Sequence, residues 1–171
     1  MTGMKQLLLL NPEHASEEEV ARYPVREAAR AIVLDAENNV ALLRVANKNY
    51  YKLPGGGCEG NESLEEALKR ECREEVGCEI KITGEIGRVI EHRDMWKIKQ
   101  ESFYYLAEVF GEKGKSAFMP DEIEAGFSVK WLLPSEAIKL LESDKPSDYE
   151  GQFIVARELV FLREAEKLTT S

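Results

Sequence analysis

Apolar positions fall in two rhythms along this chain. In REAARAIVLDAENNVALLRV, residues 26–45, two runs rich in strand formers flank Ala36-Glu37-Asn38-Asn39, the pattern of a β-hairpin. Residues 78–94 and 98–111 predict two further long strands, the second dense in aromatic and β-branched side chains. Residues 127–133 predict a short one. The helical rhythm appears over residues 64–76, over 134–143 with Pro134 at the start, and over 152–168. That last stretch carries apolar Phe153, Ile154, Leu159, Val160 and Leu162. Several strands around one helix, followed by two more helices, predict an α/β fold with a mixed sheet packed between helices.

Nothing divides the chain: there is no repeat, low-complexity tract or Pro/Ser-rich linker. Residues 1–24 read as an N-terminal arm with a short apolar strand at Leu7–Leu10, and residues 25–171 as a single domain. A chain of 171 residues buries about 70% of its unfolded surface without disulfides or structural metal.

The charge narrows the partners. With 23 basic against 32 acidic residues, the net charge is −9. That counts against nucleic acid or an anionic membrane as the main partner, but allows a small anionic substrate if a cation mediates the contact. Cys58, Cys72 and Cys78 are an odd set and match no disulfide or zinc pattern. His14 and His92 are too isolated for a metal site. The four-residue apolar run near the start is shorter than a signal core or membrane span, so the expectation is a cytoplasmic protein.

The chemistry concentrates in LPGGGCEGNESLEEALKRECREEVGC, residues 53–78. Ser63 with Glu66 forms a capping box, and Gly77 is placed to end the helix. With about 100° per residue counted from Leu64, Ala67, Leu68, Cys72 and Val76 make an apolar sector. Glu71 and Glu75 fall inside it, and Glu74 lies at its edge. Glu65, Glu66, Lys69, Arg70 and Arg73 form a solvated face. Ionised carboxylates in an apolar sector need compensation, and residues three and four apart cluster on a helix. A hard divalent cation, Mg²⁺ or Mn²⁺, answers that need. The Gly55-Gly56-Gly57 turn before the helix lets backbone approach a ligand closely. Without such a cation, the same pattern would be three solvated glutamates.

The segment resembles the Nudix box, G-x5-E-x7-R-E-U-x-E-E-x-G-U, with U a bulky apolar residue. Gly56, Glu62, Arg70, Glu71, Glu74, Glu75 and Gly77 stand at the required spacing, and Cys72 and Cys78 fill the U positions. YYKLPGG before the box, and FYYLAEV and WLLPSEA after it, also resemble Nudix surroundings, from Arg26 to Leu141.

The resemblance implies an α/β/α sandwich and metal-dependent hydrolysis of a nucleoside diphosphate linked to another moiety. It implies Glu71, Glu74 and Glu75 as metal ligands, with the backbone carbonyl of Gly55 or Gly56 added, and an Arg70–Glu62 pair bracing the loop. A further catalytic carboxylate would come from Asp121, Glu122 or Glu124, with Glu122 preferred. One of these carboxylates would accept the proton of the attacking water.

For the substrate, the chain lacks the downstream proline of ADP-ribose hydrolases and the tyrosine of dinucleoside polyphosphate hydrolases. The signatures of the NADH-cleaving and coenzyme A groups are absent too. These departures point to nucleoside triphosphates, damaged ones included, ahead of ADP-ribose, nucleotide sugars or dinucleoside polyphosphates. Tyr51, Trp96 and Tyr104 are candidates to stack on a base, and Arg26, Arg30 and Arg44 to reach phosphates. Spare apolar surface on the arm and final helix suggests a homodimer. The competing readings are a nucleotide sensor of the same fold that does not cleave, RNA 5′-end pyrophosphate removal, and an acidic interaction domain that binds Ca²⁺.

Overall fold

A computed structural model describes residues 3–170. The predicted hairpin strands are β2 (Val25–Leu34) and β3 (Val40–Val45), and the two long strands are β6 (Glu79–Arg93) and β7 (Ile98–Phe110). Three short strands complete the set with them: β4 (Tyr50–Lys52), β5 (Gly55–Gly57) and β8 (Phe127–Leu132). The arm supplies β1 (Gln6–Leu10) and the one-turn helix α1 (Glu17–Val20). The remaining helices are α2 (Leu64–Glu75), α3 (Pro120–Glu124), α4 (Pro134–Ser143) and α5 (Tyr149–Thr170).

All eight strands join one sheet, in the order β1-β6-β7-β2-β3-β4, with β5 also on β2 and β8 on β3. The β1–β6 and β2–β7 pairs are parallel and the others antiparallel. The predicted hairpin is barely a ladder. Its strands pair only at Leu34↔Val40, because β2 spends its length on β7 and lends residues 28–30 to β5. β3 turns instead to β4 and β8.

Strand alternation sorts two cores. Ala29, Ala31 and Val33 of β2 face Leu68 and Cys72 of α2 and Val76 at its C-terminal cap. Ile32 and Leu34 face the other way, towards Ala137 and Leu141 of α4 and Phe161 and Leu162 of α5. Helices therefore cover both faces, as the sandwich reading expects. Among the described residues, no helix is long and apolar enough to cross a membrane.

The second layer holds an unexpected polar centre. The buried stripe of α5 runs through Phe153, Ile154, Arg157, Glu158, Phe161, Leu162 and Ala165, whereas Leu159 and Val160 are only partly buried. Arg157 and Glu158 are fully enclosed. Arg157 Nη1 donates to both oxygens of Glu91, at 2.9 and 3.1 Å, and its Nε donates to the Tyr104 hydroxyl at 3.0 Å. Arg93 and Gln100 also donate to Glu91.

Candidate active site

Helix α2 ends the sheet-to-helix turn as its sequence dictates. Ser63 Oγ accepts the Glu66 N–H at 3.1 Å, and Glu66 returns to the Ser63 N–H at 2.8 Å, so the first turn is capped. Gly77 closes the other end at φ 73°, a left-handed conformation that glycine adopts without strain. Along α2 the exposures follow the sector reading: Glu75 is buried, and the side chains of Glu71 and Glu74 are 14% and 29% exposed.

The glycine loop is pressed against this face. A Cβ on Gly56 would collide with the Glu71 carboxylate, and one on Gly55 with the backbone of Ala29 and Arg30. Only glycine permits the approach. The Gly55 N–H donates to Glu75 Oε1 at 2.8 Å, so the loop and the helix share one hydrogen bond at the most buried glutamate.

Arg70 departs from the solvated face assigned to it. Its Nε and Nη2 grip both oxygens of Glu62, at 2.6 and 3.0 Å. Nη2 also reaches the Gly57 carbonyl at 3.1 Å, and Nη1 reaches Glu71 at 3.0 Å. This forked geometry is what a guanidinium provides and an ammonium does not. The Arg70 fork, with the Glu59 N–H added, lowers the Glu62 carboxyl to about 2.

These residues wall a cavity of about 530 Å³. Gly55, Gly56, Gly57, Arg70, Glu71, Glu74 and Glu75 line one side, and Asp121 and Glu122 of α3 line another. Glu122 Oε1 accepts the Met119 N–H at 2.8 Å. Burial raises the Glu74 carboxyl, and the charges of Glu71 and Glu122 add to that. Burial pushes Glu75 up to about 7, against the pull of Lys52.

A divalent cation fits this donor set. Seven carboxylates face four cationic side chains around the cavity. Glu75 Oε2 is buried without a hydrogen-bond partner; Lys52 Nζ, 3.2 Å away, offers it charge only. The carboxylates line the cavity without converging on one point: among the described residues no three His, Cys, Asp or Glu form a ready metal group. Arg70 draws Glu71 and Glu74 to itself instead.

Other candidates are placed elsewhere. Tyr104 is wholly buried, its ring stacked on Phe161 at 3.7 Å and its hydroxyl bonded to Glu158, so no ring face is left for a base. Tyr51 packs into the α4/α5 core with Arg44 4.9 Å over its ring, and Arg44 also bonds Asn49. Trp96 rests on Tyr149 at 5.2 Å, outside the cavity lining. Arg30 is buried behind the loop, 3.5 Å from the Gly55 carbonyl. Glu124 is exposed, and its carbonyl accepts from Asn47. Arg26, in contrast, lines the cavity.

The apolar end was missed by the sequence reading. It consists of Val45, Tyr50, Ala125, Phe127 and Ile154, with Met119 at its side. In the pair Tyr50-Tyr51 strand alternation sends the first ring to the cavity and the second to the core, and neither the order nor the composition tells which.

Fold and site together define a three-layer α/β protein whose capped acidic helix and glycine loop share one cavity. A model of the NUDIX domain matches residues 24–151, and the chain belongs to the Nudix family of hydrolases. A search of curated proteins finds no match. Among solved structures, the E. coli ORF135 protein is similar at 18% identity and TM-score 0.59, over 87% of this chain and 94% of that one. A UDP-X diphosphatase matches at 15% identity and TM-score 0.59, over 92% and 68%. The C. elegans Ap4A hydrolase matches at 19% identity and TM-score 0.56, over 85% and 98%. At these identities the likeness is one of fold.

Proposed function

We propose that this chain hydrolyses a pyrophosphate bond in nucleoside triphosphates or related nucleoside-diphosphate derivatives, using Mg²⁺ or Mn²⁺. The observation that carries the reading is the buried, hydrogen-bond-free Oε2 of Glu75 in a cavity where carboxylates outnumber cations. A polyphosphate is repelled from such a cavity unless it arrives with positive charge. Glu71, Glu74 and Glu75, with the Gly55 carbonyl, would hold the metal, which when bound neutralises phosphate charge and acidifies the attacking water.

The chain's own residues do the rest. Arg70 fixes Glu71 and the glycine loop against each other, so the phosphate-facing wall is rigid before substrate enters. Glu122, anchored by one oxygen to the Met119 N–H, has its other oxygen to accept a proton from water. Arg26 and Lys52 offer charge to the phosphates, and Tyr50 and Phe127 offer apolar faces to the nucleoside. The reading extends to a cytoplasmic enzyme acting on a small molecule. Its homodimer would be refuted by sedimentation at micromolar concentration showing only the 19.4 kDa species.

The test is a turnover screen at pH 8 with Mg²⁺ or Mn²⁺. It covers canonical and oxidised nucleoside triphosphates, ADP-ribose, nucleotide sugars and dinucleoside polyphosphates, with phosphate and pyrophosphate distinguished. Metal-dependent turnover that Glu74→Gln abolishes is the expected result. Binding without turnover of any of them would replace the hydrolase by a sensor.

A further inference from the structure

Lys52 lies outside the motif yet touches its most buried glutamate. It ends β4, its side chain is only 14% exposed, and Nζ stands 3.2 Å from Glu75 Oε2. That oxygen accepts no hydrogen bond, so the contact is one of charge without a directed bond. The other oxygen of the same carboxylate is fixed by the Gly55 N–H. The Phe127 ring, 5.3 Å from Nζ, flanks the ammonium. All three side chains line the same cavity.

A metal held by Glu75 would claim the oxygen that Lys52 now neutralises. Two positive charges on one carboxylate oxygen repel, and a lysine on a flexible four-carbon stem can move where an arginine fork cannot. The ammonium, once released, is a point charge suited to phosphate, and the substrate's phosphate chain is the new negative charge in the cavity. We infer that Lys52 is a placeholder cation: it neutralises Glu75 while the metal is absent, yields that oxygen to the metal, and then binds the phosphate chain of the substrate. Lys52 thereby couples metal loading to substrate recognition, an inference that rests on the proposed hydrolase reading.

The test compares wild type with Lys52→Met and Lys52→Gln, both uncharged, and with Lys52→Arg. Mn²⁺ binding to the metal-free, substrate-free protein is measured by titration calorimetry, and KM and kcat are measured on the best substrate. With the competing charge gone, Met and Gln should bind Mn²⁺ more tightly by the order of ten-fold. Their KM should rise by about as much, while kcat changes less. Arg, which keeps the charge but yields the oxygen less readily, should bind Mn²⁺ no more tightly than wild type. Mn²⁺ affinity unchanged or weakened in both neutral variants overturns the inference, and so does tighter Mn²⁺ binding with no change in KM. If wild type itself takes up no Mn²⁺, the hydrolase reading fails first, and the wild-type titration alone reveals it.

Discussion

Arg157 on α5 holds Glu91 on β6 by both carboxylate oxygens, at 2.9 and 3.1 Å, with neither side chain open to solvent. Removing one partner leaves a charge stranded in the core. Arg157→Met should therefore lower stability by about 3–5 kcal/mol, read as a lower urea midpoint with an unchanged slope. A double replacement, Glu91→Gln with Arg157→Met, which removes both charges of the pair and still leaves Arg93 an acceptor, should recover part of that loss. If the single variant unfolds at the wild-type midpoint, the pair is not a structural tie.

The same network reaches the start of the glycine loop. Glu158 accepts the Leu53 N–H and the Tyr104 hydroxyl, two residues before Gly55. Glu158→Gln, which can still accept from Leu53, should retain most activity. Glu158→Ala should lose about ten-fold or more in kcat at a temperature where it remains folded. Equal kcat in the two variants would confine Glu158 to a packing role.

Gly56 is set by its contact with Glu71 rather than by its own φ. A methyl group there strikes the Glu71 carboxylate. Gly56→Ala should displace that side chain and lower kcat by about 100-fold with little change in melting temperature. Steady-state kinetics beside circular dichroism decides it, and a fully active Gly56→Ala would mean that Glu71 is not needed where it stands.

Glu75 carries a pH signature in the metal-free protein. Burial raises its carboxyl to about 7 in the folded state, above the usual carboxylate value. The folded form therefore binds the proton more tightly, and stability should fall as pH rises from about 4.5 to 7, by at most about 1.4 kcal/mol per unit. In EDTA, Glu75→Gln should lack this segment of the curve. Parallel pH profiles for the two proteins would contradict the assignment.

The apolar end predicts a split in kinetics. Phe127→Ala should raise KM by about ten-fold with a smaller effect on kcat, since Phe127 lines the cavity. Trp96→Ala, on a turn outside it, should leave KM unchanged. The reverse pattern would restore Trp96 as the stacking residue.

How much of this was legible depended on whether local sequence carried the information. The capping box at Ser63, the left-handed Gly77 and the glutamates inside the apolar sector of α2 all follow from spacing along one helix. The cavity's other wall does not, because α3 and Phe127 reach it through tertiary packing alone. The stripe of α5 misled for a physical reason. An apolar stripe drawn from Phe153, Ile154, Leu159, Val160 and Leu162 leaves out Arg157 and Glu158, and only their partners on β6, β7 and the loop make burial of those charges tolerable. For Arg70 the helical angle alone points outward, whereas the family resemblance implies the Glu62 pair that draws it back over the loop.

The parallel pairing of β1 with β6 carries a consequence for the order of assembly. Gln6 lies opposite Arg88 and Leu10 opposite Glu91, so β1 leaves the ribosome with its partner some eighty residues behind it. A run of four leucines must wait, unpaired, until β6 has formed against β7. Pulse-labelled exchange during refolding should find the amides of β1 protected after those of β6 and β7, and a nascent chain halted before β6 should expose that run to a chaperone.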